Sequence, residues 1–176
     1  NSIRRIMEKK QDEPGIHGVV ADLIQTDKKY ETAIETALGG SIQNIVTKDE
    51  ETAKRMVQFL KEHKYGRATF LPLTSVRAGN LSRNERALSF EGVIGTASSL
   101  VRTDPAYEGV VSYLLGRVIV ADHIDHAVAL AREFRYSLHI VTLEGEHLSP
   151  GGSISGGAFR NSSNLLGRRR EIDEAQ

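Results

Sequence analysis

Near its carboxyl-terminal end the chain carries Pro150-Gly151-Gly152-Ser153-Ile154-Ser155-Gly156-Gly157, two glycine pairs in one short run. Peptide units without a Cβ can cradle a phosphate, turn sharply, or lie close against another backbone. A phosphate loop ends in Lys-Ser/Thr, which is missing here, and no Gly-x-Gly-x-x-Gly occurs in the run. A nucleophile elbow needs Gly-x-Ser-x-Gly, and Gly151-Gly152-Ser153-Ile154-Ser155 lacks the closing glycine. Close approach remains, because a glycine-rich strand orders best when a second backbone pairs with it and satisfies its peptide groups. An edge strand completed by another chain does this. Gly151, Gly152, Ser153, Ile154, Gly156 and Gly157 are therefore the candidate contact between two chains. A plain loop is the alternative that the motif alone leaves open.

Basic residues are the second candidate chemistry. Arg168-Arg169-Arg170 is the strongest cluster, with Lys9-Lys10, Lys28-Lys29, Lys64 and Arg67 as weaker ones. Such side chains neutralise phosphates without reading sequence, so weak, salt-sensitive, sequence-independent DNA contact is expected. Glu171, Asp173 and Glu174 follow the arginines, and a solvated helix face is the competing reading. In Asp122-His123-Ile124-Asp125-His126 two histidines share a helical face, but a zinc site needs a third protein ligand and a supporting shell. That stretch reads as a capped helix start with Asp122 at the cap, and no metal is expected.

The bulk properties narrow the classes. Lys and Arg number 23, as do Asp and Glu, for a formal net charge of zero, so any nucleic-acid or membrane contact rests on local patches. The absence of Cys removes disulfides, thiolate catalysis and Cys-ligated zinc, and fits a reducing compartment. With no Trp, and Phe and Tyr at five each, a pocket built on aromatic anchors is disfavoured. No apolar run has membrane-spanning length and no signal peptide is present. The chain opens Asn1-Ser2-Ile3-Arg4-Arg5 without Met, already in a helical pattern, and reads as a piece of a longer protein.

The elements that position these residues come as an internal repeat. Gly18-Val19-Val20 answers to Gly92-Val93-Ile94, Tyr30 through Gly39 to Tyr107 through Gly116, and Ile45-Val46-Thr47 to Ile119-Val120-Ala121. Ala53 through Leu60 answers to Ala127 through Phe134, and Ala68 through Leu71 to Ile140 through Leu143. Each half reads as strand, helix, strand, helix, strand. The first helix has Tyr30, Ala33, Ile34, Ala37 and Leu38 at helical spacing and ends in a left-handed cap at Gly39-Gly40 or at Gly116. A strand follows at Ile42 to Val46 or Arg117 to Val120. The second helix spans about Glu50 to His63, capped by Asp49, or about Asp125 to Phe134. Pro72 to Phe90 is a turn-rich connector with one short helical stretch at Leu81 to Leu88. Charged helical pieces flank the whole, Ile3 to Gln11 and from Leu165 onward, with Leu165 and Ile172 one heptad apart. Alternating strand and helix imply an α+β fold of two similar α/β lobes.

Helix stub, duplicated lobe, Leu148-Ser149-Pro150-Gly151-Gly152-Ser153-Ile154-Ser155-Gly156-Gly157 and Arg-rich stub together resemble the hinge domain of bacterial structural maintenance of chromosomes (SMC) proteins, from about Gly15 to about Leu166. Pro14-Gly15-Ile16-His17-Gly18 resembles the turn that opens the family's hinge. The resemblance implies that residues 1–13 end an incoming coiled-coil arm, 14–71 form lobe one, 72–91 the connector, 92–164 lobe two, and 165–176 the outgoing arm. It implies a homodimer closed head to tail through paired strands, an auxiliary DNA contact, and a role in chromosome condensation and segregation. It places the chain in the cytoplasm at the nucleoid, with no membrane partner. No catalysis and no cofactor are expected in this stretch. ATP and Mg belong to the head of the parent protein, and accessory condensin subunits bind elsewhere on it. A regulatory α/β domain binding a small molecule between its lobes, and a simple nucleic-acid-binding module, are the rival classes.

Overall fold

Strand and helix alternate through two consecutive halves in this computed structural model, which describes residues 1–81, 84–158 and 166–167. The first half contains α1 (Ser2–Glu8), β1 (Ile16–Val19), α2 (Val20–Leu23), β2 (Ile24–Thr26), α3 (Glu31–Leu38), β3 (Ile45–Thr47), α4 (Glu50–His63) and β4 (Phe70–Pro72). The second contains β5 (Val93–Thr96), β6 (Val101–Thr103), α5 (Glu108–Leu115), β7 (Val118–Ala121), α6 (Ile124–Glu133), β8 (His139–Thr142), β9 (His147–Leu148) and β10 (Ile154–Ser155). A 3-10 turn, Ala97–Leu100, stands where the first half has α2. The helix α4 illustrates the local logic. Asp49 accepts from the Thr52 amide at its start, and Thr52, Met56 and Leu60 recur every four residues and are buried. The left-handed Lys64 ends it.

Sheet topology confirms the duplication and corrects its alignment. In lobe one β3 lies between an antiparallel β1 and a parallel β4; in lobe two β7 lies between an antiparallel β5 and a parallel β8. The same irregularity interrupts β1 between Ile16 and Gly18 and β5 between Val93 and Gly95. Gly18 pairs with Val46 as Gly95 pairs with Val120, so Ile16–Val19 corresponds to Val93–Thr96, three residues later than the sequence alignment placed it. Likewise Ile45 faces Phe70 as Ile119 faces Ile140, which moves the last strand's match by two. Apolar identity cannot fix register in such short strands; ladder pairing does.

Other boundaries shift for local reasons. Residues Gly39–Gln43 wind into a 3-10 turn, so β3 starts at Ile45 rather than Ile42, and β7 runs Val118–Ala121 rather than from Arg117. His123, not Asp122, caps α6, because the Asp122 carboxylate turns instead to His126 Nδ1 at 2.7 Å. The amino-terminal helix stops at Glu8 rather than Gln11, and the connector's helical stretch is a 3-10 turn at Glu85–Ser89. Neither glycine forms the left-handed cap: Gly39 has a positive φ of 54° but a ψ of −133°, and Gly116 is right-handed at φ −69°. Gly116 has a different task. A Cβ there would collide with the Gly79 carbonyl, so its bareness lets the connector lie on the end of α5. Gly79 and Ser112 exchange bonds across this contact: Ser112 Oγ donates to the Gly79 carbonyl at 2.8 Å, and the Gly79 amide to the Ser112 carbonyl at 3.2 Å. Leu81 and Ala87 then bury the connector against lobe two.

The lobes are joined by elements that periodicity did not reveal. Strands β2 and β6 form an antiparallel ribbon in which Gln25 faces its own repeat equivalent, Arg102, placing a local pseudo-two-fold axis at that pair. One apolar cluster runs through the junction, from Val20, Ala33 and Ile34 to Val110, Val111 and Leu115. His17 of lobe one meets the Tyr107 hydroxyl of lobe two at 2.8 Å, and burial followed by the nearby Asp104 charge raises the Tyr107 phenol above its ordinary value. Described residues near both termini attach to lobe one. Ile6 of α1 is fully buried in the shared cluster, Leu166 joins the same cluster, and the Leu166 amide donates to Glu35 Oε1 on α3 at 2.6 Å.

Candidate dimerisation interface

Each lobe's sheet has two edge strands, β1 and β4 in lobe one and β5 and β10 in lobe two. The Ile45 amide bonds the Thr69 carbonyl, and the Leu73 amide bonds the Thr47 carbonyl. Alternation along a parallel ladder then turns the peptide groups of Phe70 outward. Pro72 closes the strand, as befits an edge. In lobe two, β9 and β10 extend the sheet beyond the duplicated core as a hairpin, with Ile154 opposite Leu148 and Ser155 opposite His147. The Ser149 amide bonds the Ser153 carbonyl at 3.0 Å. By antiparallel alternation the Ile154 peptide groups face away from β9. Its side chain is 57 % exposed, the most of any large apolar residue among those described.

The glycines divide into two kinds. Gly151 and Gly152, at φ 97° and 107°, build the turn before β10. The Gly151 amide bonds the Tyr136 carbonyl at 2.8 Å, and the Gly152 amide bonds the Ser149 carbonyl. Tyr136 and Arg135 are themselves left-handed, at φ 59° and 54°, so the turn docks on a tight bend after α6. Gly156 lies against Glu146 of its own lobe, where a Cβ would approach Cγ to 2.9 Å, while Gly157 faces open space. Residues 151–158 are all exposed, so the run pairs with its own lobe along one border and presents the other. Phe70 and Tyr136 were not singled out from sequence. The proline ending β4 was the available signal for Phe70.

Of the basic residues, the structure brings together those near α1. Lys9 Nζ lies 5.0 Å from the Phe59 ring, Arg5 sits 4.6 Å over Tyr65, and Ser2 Oγ donates to the Arg67 carbonyl at 2.6 Å. Phe59, His63 and Tyr65 form a ring cluster, with centroid distances of 4.7, 5.7 and 5.2 Å. Lys64 lies between His63 and Tyr65 in sequence and Lys10 follows Lys9, and both are exposed. Lys28 and Lys29 belong to a separate 3-10 turn before α3, where Lys29 lies 5.1 Å from the Tyr30 ring. Arg168, Arg169, Arg170 and Leu165 lie outside the described residues.

Other sequence candidates have structural partners. His126 is held by Asp122 at 2.7 Å and by Glu91 at 3.5 Å, and these bonds raise its proton affinity while lowering that of Asp122. Among the described residues no cluster of three metal-ligating side chains occurs, and no helix is long and apolar enough to cross a membrane. The lobe junction, where a ligand cleft was the rival reading, is filled. Its cavity measures about 10 Å³ and is lined by apolar side chains such as Leu23, Val46 and Val111. That is at the lower limit for one water molecule.

Known proteins share this arrangement. The profile of the SMC proteins Flexible Hinge Domain matches residues 13–131. Chromosome partition protein Smc of Bacillus subtilis (strain 168) is 45% identical over 175 residues, which is 98% of this chain and 15% of that protein. The chain thus spans less than a fifth of the curated relatives it matches. Among solved structures, an asymmetric dimer of the Geobacillus stearothermophilus SMC hinge domain superposes with a TM-score of 0.90 at 42% identity, over 98% of this chain and 70% of that one. The Pyrococcus furiosus SMC hinge domain gives 0.73 at 34% identity, over 89% and 81%. By sequence and by topology alike, this chain belongs to the SMC flexible hinge domain family.

Proposed function

We propose that this chain is the non-catalytic homodimerisation hinge of a chromosome-organising SMC ATPase, joining two coiled-coil arms into a V or ring. The observation that carries this reading is the exposed β10 hairpin edge on lobe two, with Ile154 turned outward, together with the edge strand β4 on lobe one. If β10 of each chain adds to β4 of the other, a two-fold ring closes with two equivalent contacts. Opening one contact leaves the other at high effective concentration, which slows dissociation. The outward peptides of Ile154 and Phe70 supply the hydrogen bonds, and Gly151, Gly152, Ser153, Gly156 and Gly157 shape and flank the strand. Both arms then leave from lobe one of each chain, consistent with the burial of Ile6 and Leu166 there. In the parent protein, ATP and Mg act in the head, accessory subunits bind elsewhere, and the assembly works on the nucleoid.

Sedimentation across a dilution series tests this. Wild type runs as a dimer at micromolar concentration. Ile154→Pro removes an outward amide without touching the ladder to β9, and Gly157→Asp adds charge where the lobe leaves open space. Both become monomeric with unchanged circular dichroism. A fully dimeric Ile154→Pro, Gly157→Asp double variant refutes the edge assignment.

Auxiliary DNA contact belongs to the same proposal. The cations Arg5, Lys9, Lys10, Lys64 and Arg67 near the half-buried Phe59 and Tyr65 support it, because clustered cations suit phosphates. Arg168, Arg169 and Arg170 are further candidates on the outgoing arm.

A further inference from the structure

The imidazoles of His139, at the start of β8, and His147, on β9, meet across adjacent strands, with Nδ1 of the first 3.3 Å from Nε2 of the second. Their planes differ by 11° and their centres lie 5.5 Å apart. That separation is close to the nitrogen–nitrogen distance plus two ring radii. The rings therefore meet edge to edge, with both nitrogens near the line of centres, rather than face on face. Such a contact is a hydrogen bond only when one nitrogen donates and the other accepts. With both imidazoles protonated, two N–H groups point at each other and the bond is lost.

The position of the pair gives it leverage. His147 faces Val141 on β8 and Ser155 on β10, so it is the middle residue of the three-strand border that ends in the glycine-flanked edge. Among the described residues no carboxylate pairs with either ring. Arg117 lines the same surface cavity as His139, together with the neutral Asn80, Asn84 and Ser137. Glu146 precedes His147, but its carboxylate is engaged by the Thr142 hydroxyl. Among the described residues, the histidines paired to carboxylates are His123 and His126, on another element. Burial and then the charge of His147 hold His139 below its ordinary value.

We propose that His139 and His147 form a proton-dependent latch on the edge strands β9 and β10. With at most one proton shared in excess of neutrality the latch is closed. A second proton opens it, loosens β10, and so weakens the pairing of two chains. The last step rests on the reading of β10 as the dimer edge. The neutral form of His139 is favoured in the folded state, so the latch is intact at and above the ordinary value of 6.5 and opens only as pH falls through the lowered folded value of His139.

Two measurements on the whole chain test the latch. Hydrogen exchange, corrected for intrinsic rates, reads protection at the Ser155 amide, and sedimentation reads the dimer constant, each between pH about 7.5 and about 5. Protection falls roughly 3- to 10-fold on acidification, the worth of one hydrogen bond, and the dimer constant weakens in parallel. In His139→Gln and His147→Gln both responses flatten, while His126→Gln, on α6, retains them. A wild type whose Ser155 protection ignores pH, or glutamine variants that keep the full response, overturn the latch. If protection falls as expected while the dimer constant holds steady, the latch stands and the assignment of β10 to the dimer falls.

Discussion

Thr26 and Thr103, equivalent residues of the two repeats, make reciprocal hydrogen bonds across the lobe boundary. Thr26 Oγ1 donates to the Leu100 carbonyl at 2.6 Å, and Thr103 Oγ1 to the Leu23 carbonyl at 2.7 Å. Leu23 and Leu100 are themselves equivalent, each closing the turn before β2 or β6. The two lobes thus bind each other as two copies of a symmetric dimer would, with the axis at Gln25 and Arg102.

Removing either hydroxyl leaves a carbonyl at the lobe junction without that partner. Thr26→Val and Thr103→Val are each expected to cost about 1 kcal/mol of stability. Because the two bonds flank one ribbon, the double variant should depart from additivity. Urea unfolding at fixed protein concentration measures all three, and strictly additive values would show that the bonds act independently.

Two glycines of α5 and its end separate steric from conformational roles. Gly116 has helical dihedrals that alanine also accepts, but an added Cβ meets the Gly79 carbonyl, so Gly116→Ala should destabilise by about 1–3 kcal/mol and loosen the connector. Gly109, inside α5, has open space around it, so Gly109→Ala should stabilise by about 0.5–1 kcal/mol. Thermal melts check both signs, and a neutral Gly116→Ala would mean that the connector yields freely.

The His126–Asp122 pair gives stability a defined pH window. His126 is raised by its bond to Asp122, so its contribution is complete below 6.5 and is lost as pH rises through its folded value. Asp122 is lowered by the same bond, so its contribution is complete above 3.8 and is lost as pH falls through its own folded value. Asp49, lowered by the Thr52 amide, and Glu13, lowered by Arg55, add to the acid limb. Melting temperature against pH should lose its decline on the alkaline side of 6.5 in His126→Gln, together with Asp122's share of the acid limb, while keeping the share set by Asp49 and Glu13.

For DNA, charge reversal at Arg5, Lys9, Lys64 and Arg67 should weaken binding at every sequence tested. The slope of log affinity against log salt should fall by roughly 0.9 for each duplex phosphate contact removed. Reversal at Lys28 and Lys29, on their separate turn, serves as the comparison. An unchanged slope in the four-residue variant excludes this patch, and fluorescence anisotropy over a salt series provides the reading.

Much of the fold could be read from residues in order. Helical spacing and the Asp49 cap placed α4 from Glu50 to His63, and the repeated Tyr-Glu starts placed α3 and α5 within the two halves. The glycine run marked bare backbone, but its glycines form and flank a turn, and the strand itself is only Ile154–Ser155. These are local properties, set by propensity, capping and period. Tertiary structure decided the rest. Ile24-Gln25-Thr26 and Val101-Arg102-Thr103 are too short to carry a period, and only their meeting across the pseudo-two-fold axis makes them strands. Gly116 looked like a left-handed cap until Gly79 arrived beside it, and His139 and His147 gained meaning only when β8 and β9 paired. Sequence order determines which groups a segment offers. Which of them meet is decided by long-range packing, where a one-residue change of register exchanges every partner.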